Sequence, residues 1–322
     1  MEDEIAEIHA RFNVLYNQTK GEEFWELKPL LVHYTTLANI EKILSSDEIW
    51  FSNPLIMNDM DEVRWGINNG LRIVKERDTV RIALETDERH SAFTNALDHY
   101  VTAFDQEHLL DTYVFCLSEH PREDTDGILS MWRGYGANGN GAALVFDTAN
   151  IEPAHDSPLI FAKVKYGSPE TREKWLTQLV DQFAKIIADD AIPDDKLYLP
   201  AFTFLDRLMH FALFTKHIGF QEENEWRIVY RSDRDTKKIL RHMIGYHVAP
   251  RGIEPKLKFK VAPIEGFTSS DLSLSKIVSG ILLGPTTSSI MAVRSFSRML
   301  DLIGKQEMKE RVQASSIPFR AI

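Results

Sequence analysis

Gly219-Phe220-Gln221-Glu222-Glu223-Asn224-Glu225-Trp226-Arg227-Ile228-Val229-Tyr230 sets a run of acidic and amide side chains at the head of an aromatic and β-branched stretch. Trp226, Ile228, Val229 and Tyr230 favour a pleated, half-buried strand. Residues two apart on a strand share a face, so Glu223, Glu225 and Arg227 line one side and Trp226, Ile228 and Tyr230 fill the other. Two carboxylates and a guanidinium against an apolar wall fit a surface strand with a polar face. They also fit a catalytic Glu-x-Glu strand. A one-residue slip of register would bury the wrong face.

Working outward, further strands are expected at Leu30–Thr36, Glu48–Ser52, Tyr113–Ser118, Ala142–Phe146, Phe161–Tyr166 and Ile277–Leu283, with an edge strand at Lys256–Val261 and a last one over Arg311–Ile322. Helical spacing of apolar residues marks Glu4–Tyr16, a segment capped by Thr36, long stretches over 63–110 and 168–218, and a helix from Thr286 to Ile303. Strands scattered along a chain with helices between them point to one α+β domain over residues 1–322. Its expected form is a central mixed, largely antiparallel sheet carrying an N-terminal helical extension (1–29) and two helical insertions (63–110 and 168–218).

The composition is 43% hydrophobic and 26% charged, ordinary for a folded soluble chain, and 322 residues suffice for a large core. No apolar run approaches the roughly 20 residues of a membrane span. The start, Met1-Glu2-Asp3-Glu4, is unlike the basic head of a signal peptide. A single cysteine, Cys116, excludes an internal disulfide and a multi-cysteine zinc site. A cytoplasmic protein is therefore expected. The net charge of −11 repels nucleic acid at long range, which argues against a general DNA or RNA binder and leaves nucleic acid open as a substrate.

Three groups of residues have types suited to chemistry. The first is His33 and Tyr34 at the end of an early strand, Ser118 at the end of a middle one, and Glu225 on the late one. Singly, a strand histidine is more often a hydrogen-bonded core residue, and Ser118 a strand-end cap. Together they suggest a site for cleaving NAD. The second is Asn58, Asp59, Asp61 and Glu62, whose oxygens could hold Mg²⁺ and, with Glu223 or Glu225, form a metal-dependent nuclease or phosphodiesterase. Their position just before a helix favours capping instead. The third is Arg133–Gly141, where Arg133 and Tyr135 sit beside glycine-rich backbone that suits a nucleotide, although no phosphate-loop signature is present.

Several separated motifs occur in one order: His33-Tyr34-Thr35; Trp50-Phe51-Ser52-x-Pro54 with Asn58-Asp59 and Glu62; Cys116-Leu117-Ser118; Met131-Trp132-x-x-Tyr135; Gly141–Asp147; Glu223-x-Glu225-Trp226-Arg227; and Leu283-Gly284-Pro285. In these the chain resembles a widespread bacterial family of unknown function. Its strand order and polar residues are in turn similar to the ADP-ribosyltransferase fold. That resemblance implies NAD as the bound nucleotide, with no metal expected, His33 on a ribose hydroxyl, and Tyr34 or Tyr135 stacked on nicotinamide. It implies Glu225 as the carboxylate that stabilises oxocarbenium-like charge and Glu223 as the group that deprotonates or orients the acceptor, with Ser118 beside the nucleotide. Arg133 and Arg227 join the cofactor-binding candidates, Arg227 alternatively pairing with one of the two glutamates and holding it ionised. His33 stands where the arginine-modifying members carry Arg, and no Ser-Thr-Ser run precedes Glu223. An NAD-dependent transferase is thus the leading expectation, a toxin or phage-defence effector with a protein or nucleic-acid acceptor and an antitoxin or defence-system partner. A nuclease and a non-catalytic nucleotide sensor are the alternatives.

Overall fold

In β1 (Leu30–Thr35) Leu31 enters one core while Val32 and Tyr34 enter another, so this strand is covered on both faces. β2 (Glu48–Ser52), β3 (Thr112–His120), β4 (Ala142–Asp147), β5 (Leu159–Lys163), β6 (Lys165–Gly167), β7 (Thr215–His217) and β8 (Glu225–Arg231) follow. β9 (Ile244–Ala249), β10 (Gly252–Lys260), β11 (Val278–Leu283) and β12 (Val312–Ala314) complete the set. The computed structural model describes residues 7–8, 10–16, 22–57, 60–104, 109–152, 157–189, 192–249 and 252–319. They fall into two compact units, one of Met1–Lys20, Asn53–Thr112 and Ala162–Gln221, the other of Gly21–Ser52, Tyr113–Phe161 and Glu222–Ile322.

The second unit is built on the large sheet, in the order β12-β11-β4-β1-β3-β2-β10-β9, with β8 beside β3 and β5. Pairing is largely antiparallel, and β11 with β12 is parallel, so the architecture is α+β with a mixed central sheet. One face carries Leu31, Phe115, Leu117, Leu144, Trp226 and Tyr230 in a single core. The opposite face carries Val32, Tyr34, Ala143, Val145 and Leu282 against Met131 and Trp132. Burying each such side chain is worth about 1.5–3 kcal/mol, so the alternation fixes the register. Thr36 caps the helix Leu37–Ser46 by accepting from the Asn39 amide (3.2 Å), and Asp47 in the left-handed region (φ 53°) turns the chain into β2.

The first unit is helical. Tyr198–Phe214 is buried nearly all round, which marks a central helix. Met60–Glu76 packs on it through Gly66 and Gly70, where an added Cβ would lie 2.9 Å from the Ala212 Cβ and 2.1 Å from a Leu208 methyl. Phe183 of helix Pro169–Asp189 meets Phe12 (5.3 Å), Phe93 (5.7 Å) and Phe204 (4.9 Å). The two segments read as helical insertions in the sequence thus supply most of this unit, with the short parallel pair β6 and β7.

Three strands, β9, β10 and β12, differ from expectation. β9 has Tyr246 and Val248 turned outward, 64% and 69% exposed, so its apolar alternation carries no burial signal, and β10 lies inside it rather than at the edge. The C-terminal strand stops at Ala314, ahead of Pro318, which has no N–H for a ladder. Among the described residues no helix is long and apolar enough to cross a membrane.

Candidate functional site

β3 carries two partners along one edge. β1 pairs with its end (Leu30–Val32 with Ser118–His120), whereas β2 touches its start at a single pair, Ser52 with Val114. Between these points β1 and β2 diverge, and the gap opposite Phe115 and Cys116 is occupied by His33. The His33 ring lies 4.6 Å from the Phe115 ring, and Nδ1 donates to the Cys116 carbonyl (3.2 Å). With Nδ1 committed as a donor, the neutral ring offers Nε2 as an acceptor. Burial lowers the His33 pKa, and the Cys116 carbonyl opposes that shift without overcoming it, so the neutral form prevails at neutral pH.

A cleft of about 390 Å³ opens at this divergence, within the range of small-molecule sites. Its walls are the end of β1 (His33, Thr35), the helix after it (Asn39, Lys42, Ser46), the outward residues of β2 (Glu48, Trp50, Ser52) and those of the β9–β10 hairpin (His247, Glu254, Lys256). The side chains are mutually braced. Asn39 donates to Thr35 Oγ1 (2.9 Å), the Trp50 indole donates to Glu48 (2.9 Å), and Lys256 donates to Ser52 Oγ (2.8 Å) and pairs with Glu254 (3.1 Å). Lys258 Nζ stands 4.5 Å from the Trp50 ring, on which His247 also packs (5.5 Å). Two lysines, a second histidine, two carboxylates and an aromatic platform therefore meet beside His33. These groups suit a ligand with an aromatic ring, hydroxyls and phosphate.

The other sequence-derived candidates are distributed elsewhere. Tyr34 points to the opposite face, edge-on to Trp132 (4.8 Å), where its hydroxyl oxygen accepts from the Ile128 amide (3.0 Å). Burial pushes its phenol up to about 12, the Ile128 amide pulls the other way, and Asp124 adds to the rise. Ser118, buried and paired with Val32, belongs to that face as well. On β8, Trp226 and Tyr230 sit in the first core, so Glu225 and Arg227 face away from it. They form a buried two-bond ion pair, Nε to Oε1 at 2.8 Å and Nη2 to Oε2 at 3.1 Å. His33 and Glu225 thus fall on opposite faces of the sheet. Glu223 lies before the strand and accepts from the Tyr135 hydroxyl (2.8 Å). Arg133 stacks over Phe319 (5.1 Å).

Asn58 and Asp59 lie outside the described residues. Asp61 and Glu62 open the helix Met60–Glu76, and Glu62 pairs with the buried Arg172. Among the described residues no three His, Cys, Asp or Glu side chains gather as a metal site.

Of the cleft residues, sequence reasoning singled out His33 alone as chemical. The alternation Lys256-Leu257-Lys258-Phe259-Lys260 shows three cations on one face of a strand, of which Lys256 lines the cleft, but nothing in it points to His33 or Trp50 as neighbours.

Residues 131–228 match the model of a family described as a protein of unknown function, DUF2971. The match supports the resemblance to an uncharacterised family and spans the Trp132–Gly141 turn, β4 and the Glu223–Arg227 stretch, while β1, β2 and the β9–β10 hairpin lie beyond it. No curated protein matches the chain, and no solved structure does.

Proposed function

We propose that the cleft at the divergence of β1 and β2 is a nucleotide site, and that the protein is an NAD-consuming enzyme of the ADP-ribosyltransferase kind. The carrying observation is the cleft itself, with neutral His33 at its back, Trp50 as a ring platform, and the cations Lys42 and Lys256, the latter braced by Ser52 and Glu254, in its wall for a diphosphate. In the reaction the bond between nicotinamide nitrogen and ribose C1′ breaks, its electron pair leaving with nicotinamide. The acceptor then bonds C1′ and gives up its proton. Positive charge on the ribose in the transition state calls for a carboxylate close by. Within the cleft those carboxylates are Glu48 and Glu254, and His33 Nε2 is suited to accept from a ribose hydroxyl. The acceptor, a protein or a nucleic acid, would place the enzyme among toxins or phage-defence effectors.

A second reading, nucleotide binding without turnover, is favoured by Glu225, the carboxylate that the resemblance makes catalytic. It is held by Arg227 on the face opposite His33. The deciding experiment combines calorimetry with NAD and an assay of nicotinamide release, with and without cell lysate, on the wild type and on Glu254→Gln, Glu48→Gln and Glu225→Gln. Binding with release that a cleft variant abolishes supports the transferase. Binding with no release supports the sensor, and neither binding nor release sinks both readings.

A further inference from the structure

The helical unit holds a cavity of about 460 Å³, larger than the cleft and unconnected with the reading above. Its most buried polar lining consists of Arg207, His210 and Thr215, 7%, 6% and 2% exposed. Trp175 and Phe211 give it two aromatic walls, and Lys165 and Gln178, both exposed, stand at its rim. The Trp175 ring is held against β6, where a Cβ on Gly167 would lie 3.0 Å from it.

Two features point to a ligand. The Thr215 hydroxyl is buried with no hydrogen-bond partner, a state that is costly unless a bound group completes it. The lining also includes two cations and a histidine but no carboxylate, although Asp206 pairs with Arg207 from outside it (3.2 Å). A buried guanidinium and hydroxyl recognise an anionic oxygen, and the indole and phenyl walls recognise a flat ring.

We propose that this cavity binds a small anion carrying a planar ring, with the anionic group at Arg207, His210 and Thr215 and the ring against Trp175 and Phe211. Phosphate and carboxylate share this chemistry. The test is calorimetry on the full chain with four probes: AMP, 2-naphthoate, adenosine as a ring without charge, and inorganic phosphate as charge without a ring. Expected is binding of AMP, 2-naphthoate or both, about tenfold or more tighter than adenosine or phosphate, since loss of either half removes a main anchor. AMP alone identifies a phosphate ligand, and 2-naphthoate alone a carboxylate.

Thr215→Val, which keeps the side chain's shape, should weaken binding about threefold or more, and Arg207→Met about tenfold or more. Should Arg207→Met fail to fold, Thr215→Val decides. Arg72→Met, at an exposed position of the same unit that does not line the cavity, should leave the affinity unchanged. The proposal is overturned if neither anion binds at millimolar concentration, if Thr215→Val binds like the wild type, or if Arg72→Met abolishes binding.

Discussion

Replacing Arg227 by methionine removes a guanidinium whose side chain is 2% exposed from a carboxylate, Glu225, whose side chain is 5% exposed. Two hydrogen bonds, at 2.8 and 3.1 Å, go with it. Methionine retains much of the stem volume, so the loss is chiefly the unmatched charge rather than a cavity. Removing one partner of a buried pair costs about 3–5 kcal/mol, because a charge held out of water loses the guanidinium bonded to both its oxygens. For a unit of this size each kcal/mol moves the midpoint by roughly 2–4 °C, so Tm should fall by about 6–20 °C. Arg72–Glu173 supplies the contrast. Its contact is shorter, 2.6 Å, but its side chains are 46% and 49% exposed, and water screens them. Arg72→Met should leave the midpoint where it was. Thermal unfolding followed by circular dichroism, with a urea titration beside it, measures both. If Arg227→Met melts within about 2 °C of the wild type, or if the two variants lose equal stability, burial does not govern the strength of these pairs and the reasoning fails.

Three further outcomes follow from local geometry. At Gly141, an added Cβ would lie 2.1 Å from the Thr35 carbonyl oxygen, backbone that cannot step aside, so Gly141→Ala should lose about 1–3 kcal/mol or more in urea unfolding. Because the folded His33 resists protonation, the unfolded chain takes up the proton first, and stability should decline as pH falls below about 6.5. His33→Gln should flatten that decline, and an unchanged slope would rule out His33 as its source. Tyr34, held at about 12, keeps its proton when the unfolded chain has lost it. Stability should therefore drop as pH rises above roughly 10, less so in Tyr34→Phe, which should itself cost about 1–3 kcal/mol by leaving the Ile128 amide without its acceptor.

The central strands were legible because, covered on both faces, they read as nearly continuous apolar runs, and β9 was not because Tyr246 and Val248 point outward. The site was harder to read for a different reason. A cleft made by two strands separating from a third is a property of pairing: Val32 meets Ser118, Ser52 meets Val114, and the space between belongs to neither ladder. No local pattern in Leu30–Thr35 or Glu48–Ser52 encodes that separation, so Trp50, His247 and Lys256 carried no mark of a shared wall. Parity along a strand, however, does constrain a site from the order of residues alone. His33 and Tyr34 are adjacent and cannot serve one surface of a flat sheet. Once Leu31 pairs with Glu119, which accepts from the Trp226 indole (2.9 Å), His33 shares the face of Trp226, and Glu225 is left on the other. A motif that strings His33, Ser118 and Glu225 into one active site requires the sheet to be read from both sides. The register divides those residues, so the reaction proposed for the His33 side rests on the carboxylates of β2 and β10.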